Sequence, residues 1–218
     1  MNGNCLELMK TLPNKSVDLF VCDLPYGCLT TPSCLKTRKE GSTFAKNGCA
    51  WDIKIDLVAF WVEVKRLCRN DKTPVLMFCN TRFGSDLIIS NPDWFRYDIV
   101  WDKQTGTNFL LANKQPMKSH EMIYVFSKKG ANYKRIDTTV EGKEAYSRGA
   151  RVRQSLCYAN GIDMPVRTKE DNTRCALSVI HFPRYQSKLH PTCKSVDLYK
   201  WLIERYSNEG DNVLDPTA

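Results

Sequence analysis

The sequence predicts an α/β fold with a parallel sheet and a late hairpin. Three observations predict it. Apolar runs of strand length at 17–22 and 75–79 are each followed by a stretch of helical periodicity. A pair of strands then comes close together in the chain, at 95–101 and 122–126. Finally, both early runs stop abruptly in polar residues, at Asp23 and Asn80. Functional groups of α/β sheets collect just beyond such strand ends.

Taken in order, 4–12 reads as a short helix with Cys5, Leu6, Leu8, Met9 and Leu12 apolar, ended by Pro13-Asn14-Lys15. The strand over 17–22 delivers Asp23-Leu24-Pro25-Tyr26 and then Gly27. This is a carboxylate, an apolar residue, a rigid ring and an aromatic face in immediate succession. Residues 28–50 are rich in Thr, Ser, Lys and Gly and read as a long surface loop, a lid over the strand exit. The spacing of Leu57, Phe60, Trp61, Val64, Leu67 and Cys68 predicts a helix over 52–69. The strand at 75–79 opens into a second polar exit, 80–84, and a helix is expected over 86–90, stopped by Asn91-Pro92. Between the last two strands, 103–120 is polar and reads either as a groove lining or as an ordinary hairpin connection.

From residue 131 to 179 the periodicity fades. Nine basic residues stand against six acidic ones there. This reads as a loop-rich insertion, either a solvated decoration or a lobe whose Arg, Lys, Asn and Tyr side chains contact phosphates and base edges. The α/β order then returns. His181-Phe182-Pro183 is a turn or short strand. A helix carries Val196, Leu198, Tyr199, Leu202, Ile203 and Tyr206, with Gly210 as its cap. Val213-Leu214 begins another strand with an acidic exit, Asp215, and the fold is expected to continue beyond Ala218.

Composition narrows the class. A chain of 218 residues with 42% hydrophobic and 26% charged content reads as one globular core with an appendage. No apolar run approaches the roughly 20 residues of a membrane span, and the first residues lack the features of a signal peptide, so an intracellular protein with no membrane partner is expected. The net charge of +8 suits a polyanionic partner. The ten cysteines show no C-x-x-C spacing. They read as free thiols of a reducing compartment, several of them buried, and no metal site is expected; only the loose trio Cys28, Cys34 and Cys49 keeps one open.

Several of these stretches together resemble the β-class amino methyltransferases of DNA, and most of all their phage and virus members. Asp23-Leu24-Pro25-Tyr26 resembles the catalytic Asp-Pro-Pro-Tyr motif, with Leu24 in place of the first proline. Cys49-Ala50-Trp51-Asp52 resembles the family's Cys-Lys-Trp-Asp stretch, and Lys118-Ser119-His120-Glu121 its segment before the recognition region. His190-Pro191-Thr192-Cys193-Lys194 resembles His-Pro-Thr-Gln-Lys, and Leu214-Asp215-Pro216 the start of the cofactor loop. Asn4-Cys5-Leu6 resembles the opening segment, with Asn4 where an acidic residue usually meets the cofactor adenine.

The resemblance implies a circularly permuted, Rossmann-like methyltransferase sheet. Its catalytic half would be 1–130, a target-recognition insertion 131–180, and the start of the cofactor-binding half 181–218. It implies S-adenosyl-L-methionine as cofactor, held by Asn4, Cys5, Asp23, His190, Thr192, Lys194 and Asp215. It implies double-stranded DNA as partner, met by Lys114, Lys118, Arg148, Arg151 and Arg153. The family includes dimers. Asp23, Leu24, Pro25 and Tyr26 would carry methyl transfer to an exocyclic amine, adenine N6 ahead of cytosine N4 because the motif begins with Asp. Transfer to cytosine C5 is disfavoured, since no Pro-Cys pair provides a nucleophile. The competing readings are a non-catalytic DNA-binding subunit, an inactive fragment, and an RNA adenine methyltransferase.

Overall fold

A computed structural model describes residues 3–28, 52–139, 146–148, 151–152, 163–164, 167–169, 173–185 and 193–217. The chain divides into two compact units, 1–134 with 178–218, and 135–177.

The larger unit is a six-stranded sheet. Its strands are β1 (Leu19–Cys22), β2 (Val75–Cys79), β3 (Phe95–Thr107), β4 (Lys118–Phe126), β11 (Val179–His181) and β12 (Val213–Leu214), in the order β11-β3-β4-β2-β1-β12. Only β4 runs against the others: β1 is parallel to β2 and β12, β11 is parallel to β3, and β4 is antiparallel to both of its neighbours. The exits of β1, β2 and β12 therefore share one end of the sheet.

Period-two alternation sends each strand's residues to two cores. Phe20, Cys22, Val75, Met77 and Cys79 face one side, with the helices α1 (Cys5–Thr11), α2 (Leu57–Leu67) and α3 (Thr81–Ser90). Leu19, Val21, Leu76 and Phe78 face the other, packed against Leu198, Leu202 and Tyr206 of α4 (Val196–Tyr206). β1 and β2 are buried along their whole length, as strands covered on both faces must be. Each fully buried Phe or Leu contributes about 1.5–3 kcal/mol by leaving water. The thiols of Cys22, Cys68 and Cys79 lie in the first core, and burial pushes those of Cys68 and Cys79 up to about 12.

Several boundaries differ from the sequence expectation, each for a local reason. The helix expected over 52–69 starts at Leu57, because Asp56 caps it by accepting from the amides of Val58 and Ala59. The helix expected over 86–90 begins directly at the β2 exit, where Asn80 accepts from the Phe83 amide; residues 81–84 are thus its first turn rather than a loop. Val17 makes only an isolated bridge to Cys68, and the β1 ladder begins at Leu19. The hairpin strands run well past 101 and begin well before 122. Their ladder is interrupted by an irregularity between Asp102 and Thr107, where Gln104 adopts φ 59°. His181 belongs to an edge strand.

The smaller unit is described by backbone alone over most of its length. Three short antiparallel pairs enclose one another: β5 (Thr138–Thr139) with β10 (Thr173–Arg174), β6 (Tyr146–Arg148) with β9 (Arg167–Lys169), and β7 (Arg151–Val152) with β8 (Asp163–Met164). Within the stretch read as loop-rich, the described residues thus form an out-and-back ladder. Among the described residues no helix is long and apolar enough to cross a membrane, and no group of three His, Cys, Asp or Glu could hold a metal ion.

Candidate active site

The chain leaves β1 at Cys22, and the next four residues take different environments. Leu24 is fully buried in the first core, so it anchors the turn from below. Asp23, Pro25 and Tyr26 stay half-buried at the sheet end. The Tyr26 hydroxyl donates to Asp23 Oδ1 at 3.0 Å, and its ring stacks on Phe83 from the first turn of α3, with centroids 5.3 Å apart. Burial, with the Asp23 charge beside it, pushes the Tyr26 phenol well above its ordinary value, so it remains a donor. Gly27 closes the turn at φ 63°, where a side chain would be strained, and a Cβ there would sit 2.5 Å from Lys54 Cγ. The Gly27 amide donates to Asp52 Oδ1 at 2.8 Å, which fastens the turn to a residue 25 positions further on. That explains why Asp52 is buried rather than helical.

The second oxygen of Asp23 is held by Lys194, just ahead of α4. Lys194 Nζ lies 2.5 Å from Asp23 Oδ2 and 3.8 Å from Glu121 Oε2. It sits over the Phe78 ring at 5.2 Å, and its side chain is 8% exposed. Glu121 Oε1 in turn receives Lys103 Nζ at 3.2 Å, and that lysine is as buried as Lys194. The result is a chain of alternating charges: Asp23, Lys194, Glu121, Lys103. Burying charges is expensive unless each is paired, and here every charge has a partner of opposite sign. One atom is short-changed: Glu121 Oε2 is buried and accepts no hydrogen bond.

Next to this chain, Asp215 leaves β12. Its Oδ1 accepts from the Thr217 amide at 2.9 Å and the Thr217 hydroxyl at 3.1 Å, and Tyr199 of α4 reaches its Oδ2 at 3.5 Å. Burial raises the Asp215 carboxyl above its ordinary value despite the Thr217 hydrogen bonds, and the nearby Asp23 charge adds to the rise. Tyr199 is likewise pushed up by burial and by the same two carboxylates.

Of the residues singled out from the sequence, Asp23, Tyr26, Lys194 and Asp215 come together, although 171 positions separate Lys194 from Asp23. Asn4 caps α1, accepting from the Leu6 amide at 3.0 Å, and Cys5 is the first residue of that helix. Lys114 is exposed near the β3–β4 tip, and Lys118 opens β4. Arg148 and Arg151 fall in β6 and β7 of the smaller unit. His190, Thr192, Arg153 and all but the first residue of the 28–50 loop lie outside the described residues. Sequence reasoning did not place Lys103, Glu121 or Tyr199 at the site. Glu121 carried a signal, as a lone carboxylate heading a fully apolar strand. Lys103 stands two positions after Trp101 in the inward alternation of β3, but a lysine there reads as the end of the buried face.

A mostly parallel α/β sheet whose adjacent strand exits hold carboxylates, with a buried ammonium beside them, defines the class of protein. A family model for DNA methylases of the N6/N4 type matches residues 17–218, and the chain belongs to that family. It is similar to the type II methyltransferase M.HinfI of Haemophilus influenzae, 26% identical over 234 aligned positions that take in 99% of this chain and 57% of the relative. The chain thus spans a little over half the length of that relative. Among solved structures, it resembles the PvuII DNA methyltransferase, cytosine-N4-specific, at a TM-score of 0.54 and 14% identity, over 98% of this chain and 71% of that one. It also resembles M1.HpyAVI in complex with S-adenosylmethionine, at a TM-score of 0.50 and 16% identity, over 99% and 80% of the two chains. At these identities the likeness is one of fold.

Proposed function

We propose that this chain is an S-adenosyl-L-methionine-dependent DNA methyltransferase that modifies the exocyclic amine of a flipped-out base, adenine N6. The observation that carries the reading is Asp23 at the β1 exit, with its carboxylate oriented by the Tyr26 hydroxyl. The residues fit the cofactor: carboxylates at two adjacent strand exits and a buried ammonium suit a ligand that carries a sulfonium, an ammonium and a carboxylate. Lys194 and Asp215 would hold it, with Asn4, Cys5, His190 and Thr192 completing the site. When bound, the cofactor supplies an electrophilic methyl group.

An exocyclic amine is a poor nucleophile because its lone pair is delocalised into the ring. Asp23 accepts one N–H, and the backbone carbonyl of Leu24 or Pro25 accepts the other. This favours a tetrahedral nitrogen whose lone pair is free. As the nitrogen bonds to carbon it gains positive charge, and fixed acceptors stabilise that charge more than they stabilise the ground state. Asp23 then holds the proton that the nitrogen must lose. Tyr26 offers its ring to the flipped base, recovering part of the few kcal/mol that unstacking costs.

DNA would be met by Lys114 and Lys118 on the β3–β4 hairpin and by Arg148, Arg151 and Arg153 of the 131–180 insertion. The test is incubation with methyl-labelled cofactor and duplex DNA or RNA, followed by digestion and separation of the modified bases. Label in N6-methyladenine of DNA is expected. N4-methylcytosine would reassign the base, and labelled RNA the nucleic acid. Duplex binding with no label would leave a DNA-binding module instead of an enzyme.

A further inference from the structure

Asp23 has both oxygens engaged, and the partner on Oδ2 is a full positive charge. That is the wrong partner for the transfer step. An ammonium at 2.5 Å weakens the carboxylate as an acceptor, and it stands beside a nitrogen on which positive charge must develop. Lys194 has an alternative within reach. Glu121 Oε2 is 3.8 Å from the same Nζ, is buried, and accepts no hydrogen bond. Lys103 holds the other Glu121 oxygen in place, and the Phe78 ring face lies under the ammonium. A shift of about an ångström would bring the ammonium within the 2.7–3.2 Å of a hydrogen bond to Glu121.

We infer that Lys194 is a two-position latch, seated on Asp23 here and moving to Glu121 when the amine of the target base takes its place. Glu121 is then a positioning residue: it touches neither base nor cofactor, and it sets the ease with which Asp23 is uncovered. The inference rests on the methyl-transfer reading for its purpose, but the latch itself is a property of this chain alone.

Two measurements test it. The first needs no DNA or cofactor. In a crystal structure of Asp23→Asn, the Lys194 ammonium is expected within hydrogen-bond distance of Glu121 Oε2; an ammonium still seated on the side chain at position 23 would overturn the latch. The second compares binding of duplexes that carry the target base with and without its exocyclic amine. Wild type should prefer the amine by about tenfold or more, the value of a hydrogen bond to a charged group. Glu121→Gln should lose most of that preference, because Lys194 stays on Asp23. Lys103→Met, which leaves Glu121 in greater need of a cation, should keep or raise it. A purely structural role would weaken both duplexes alike and move both variants in the same direction, and that result would also overturn the latch. If wild type methylates nothing, the proposed function falls, and the Asp23→Asn structure still decides the latch.

Discussion

β1 and β12 lie side by side, and polar groups stand at both ends of the pair. At the entrance, Asp18 accepts from Arg69 Nε at 2.9 Å, from Arg69 Nη2 at 3.0 Å and from the Asn212 amide at 3.0 Å. Each of these groups serves the others, and together they fasten the starts of the two strands and the end of α2. At the exit, burial and, after it, the nearby Asp23 charge raise the Asp215 carboxyl, and the single ammonium of Lys194 lies within 4 Å of both Asp23 and Glu121. Both ends are rich in charge. The entrance is saturated and half open to water. The exit is buried, crowded with carboxylates and short of one donor. The two ends differ in how fully their polar groups are paired, not in charge density.

The largest effect is expected from Asp23→Ala. It should lower turnover by at least about a hundredfold, as loss of a transition-state hydrogen-bond partner does. Circular dichroism should stay unchanged, because Asp23 is not part of either core. Near-normal turnover would make the exit as structural as the entrance. Tyr26→Ala should cost almost as much, about thirtyfold or more. Tyr26→Phe keeps the ring and loses only the 3.0 Å hydrogen bond to Asp23, so a loss of tenfold or less is expected. Equal losses in steady-state kinetics would shift the role of Tyr26 from stacking to its hydroxyl.

The two ends should also differ in the sign of their pH dependence. Hydrogen bonds from Arg69 hold the Asp18 carboxyl below its ordinary value, so the folded state binds its proton less readily than the unfolded chain. Its contribution is present at neutral pH and is lost as pH falls through and below about 4. Asp18→Asn should cost about 1 kcal/mol in urea unfolding at pH 7, with the gap closing in acid. Asp215 is raised by burial, so its contribution is present in acid and lost as pH climbs from about 4 toward the raised value. Asp215→Asn should therefore leave stability at pH 7 unchanged or higher by up to about 1 kcal/mol. A loss at pH 7 equal to that of Asp18→Asn would erase the contrast. The smallest effect is expected from Asn4→Ser, which keeps the cap of α1 and should leave the melting temperature within a degree or so. A fall in cofactor affinity in this variant, with stability intact, would add a cofactor role to the capping one.

The order of elements and the polar exit at Asp23 were legible because they rest on local signals: apolar runs, their period, and a carboxylate-proline pair at the end of a buried strand. Asn80 was legible as an exit but not as a cap, since the same residue types mark both. The rest of the site depends on contacts far apart in the chain. Lys194 reaches Asp23 only because α4 packs on the second core. Lys103 follows Ile99 and Trp101 in the inward alternation of β3, and its ammonium is matched there by Glu121 across the ladder. Neither pairing leaves a trace in the sequence. The nested pairs of the smaller unit escaped for a related reason. Strands of two or three residues are too short for alternation to show.

The stacking of Tyr26 on Phe83 bears on how a base could be received. With one ring face already covered by α3 and its hydroxyl tied to Asp23, Tyr26 has lost its rotamer freedom before any ligand arrives. An incoming base would therefore meet a ring backed by a second ring and held at a fixed tilt. The ordering entropy of that ring is met when the protein folds rather than at each encounter with DNA.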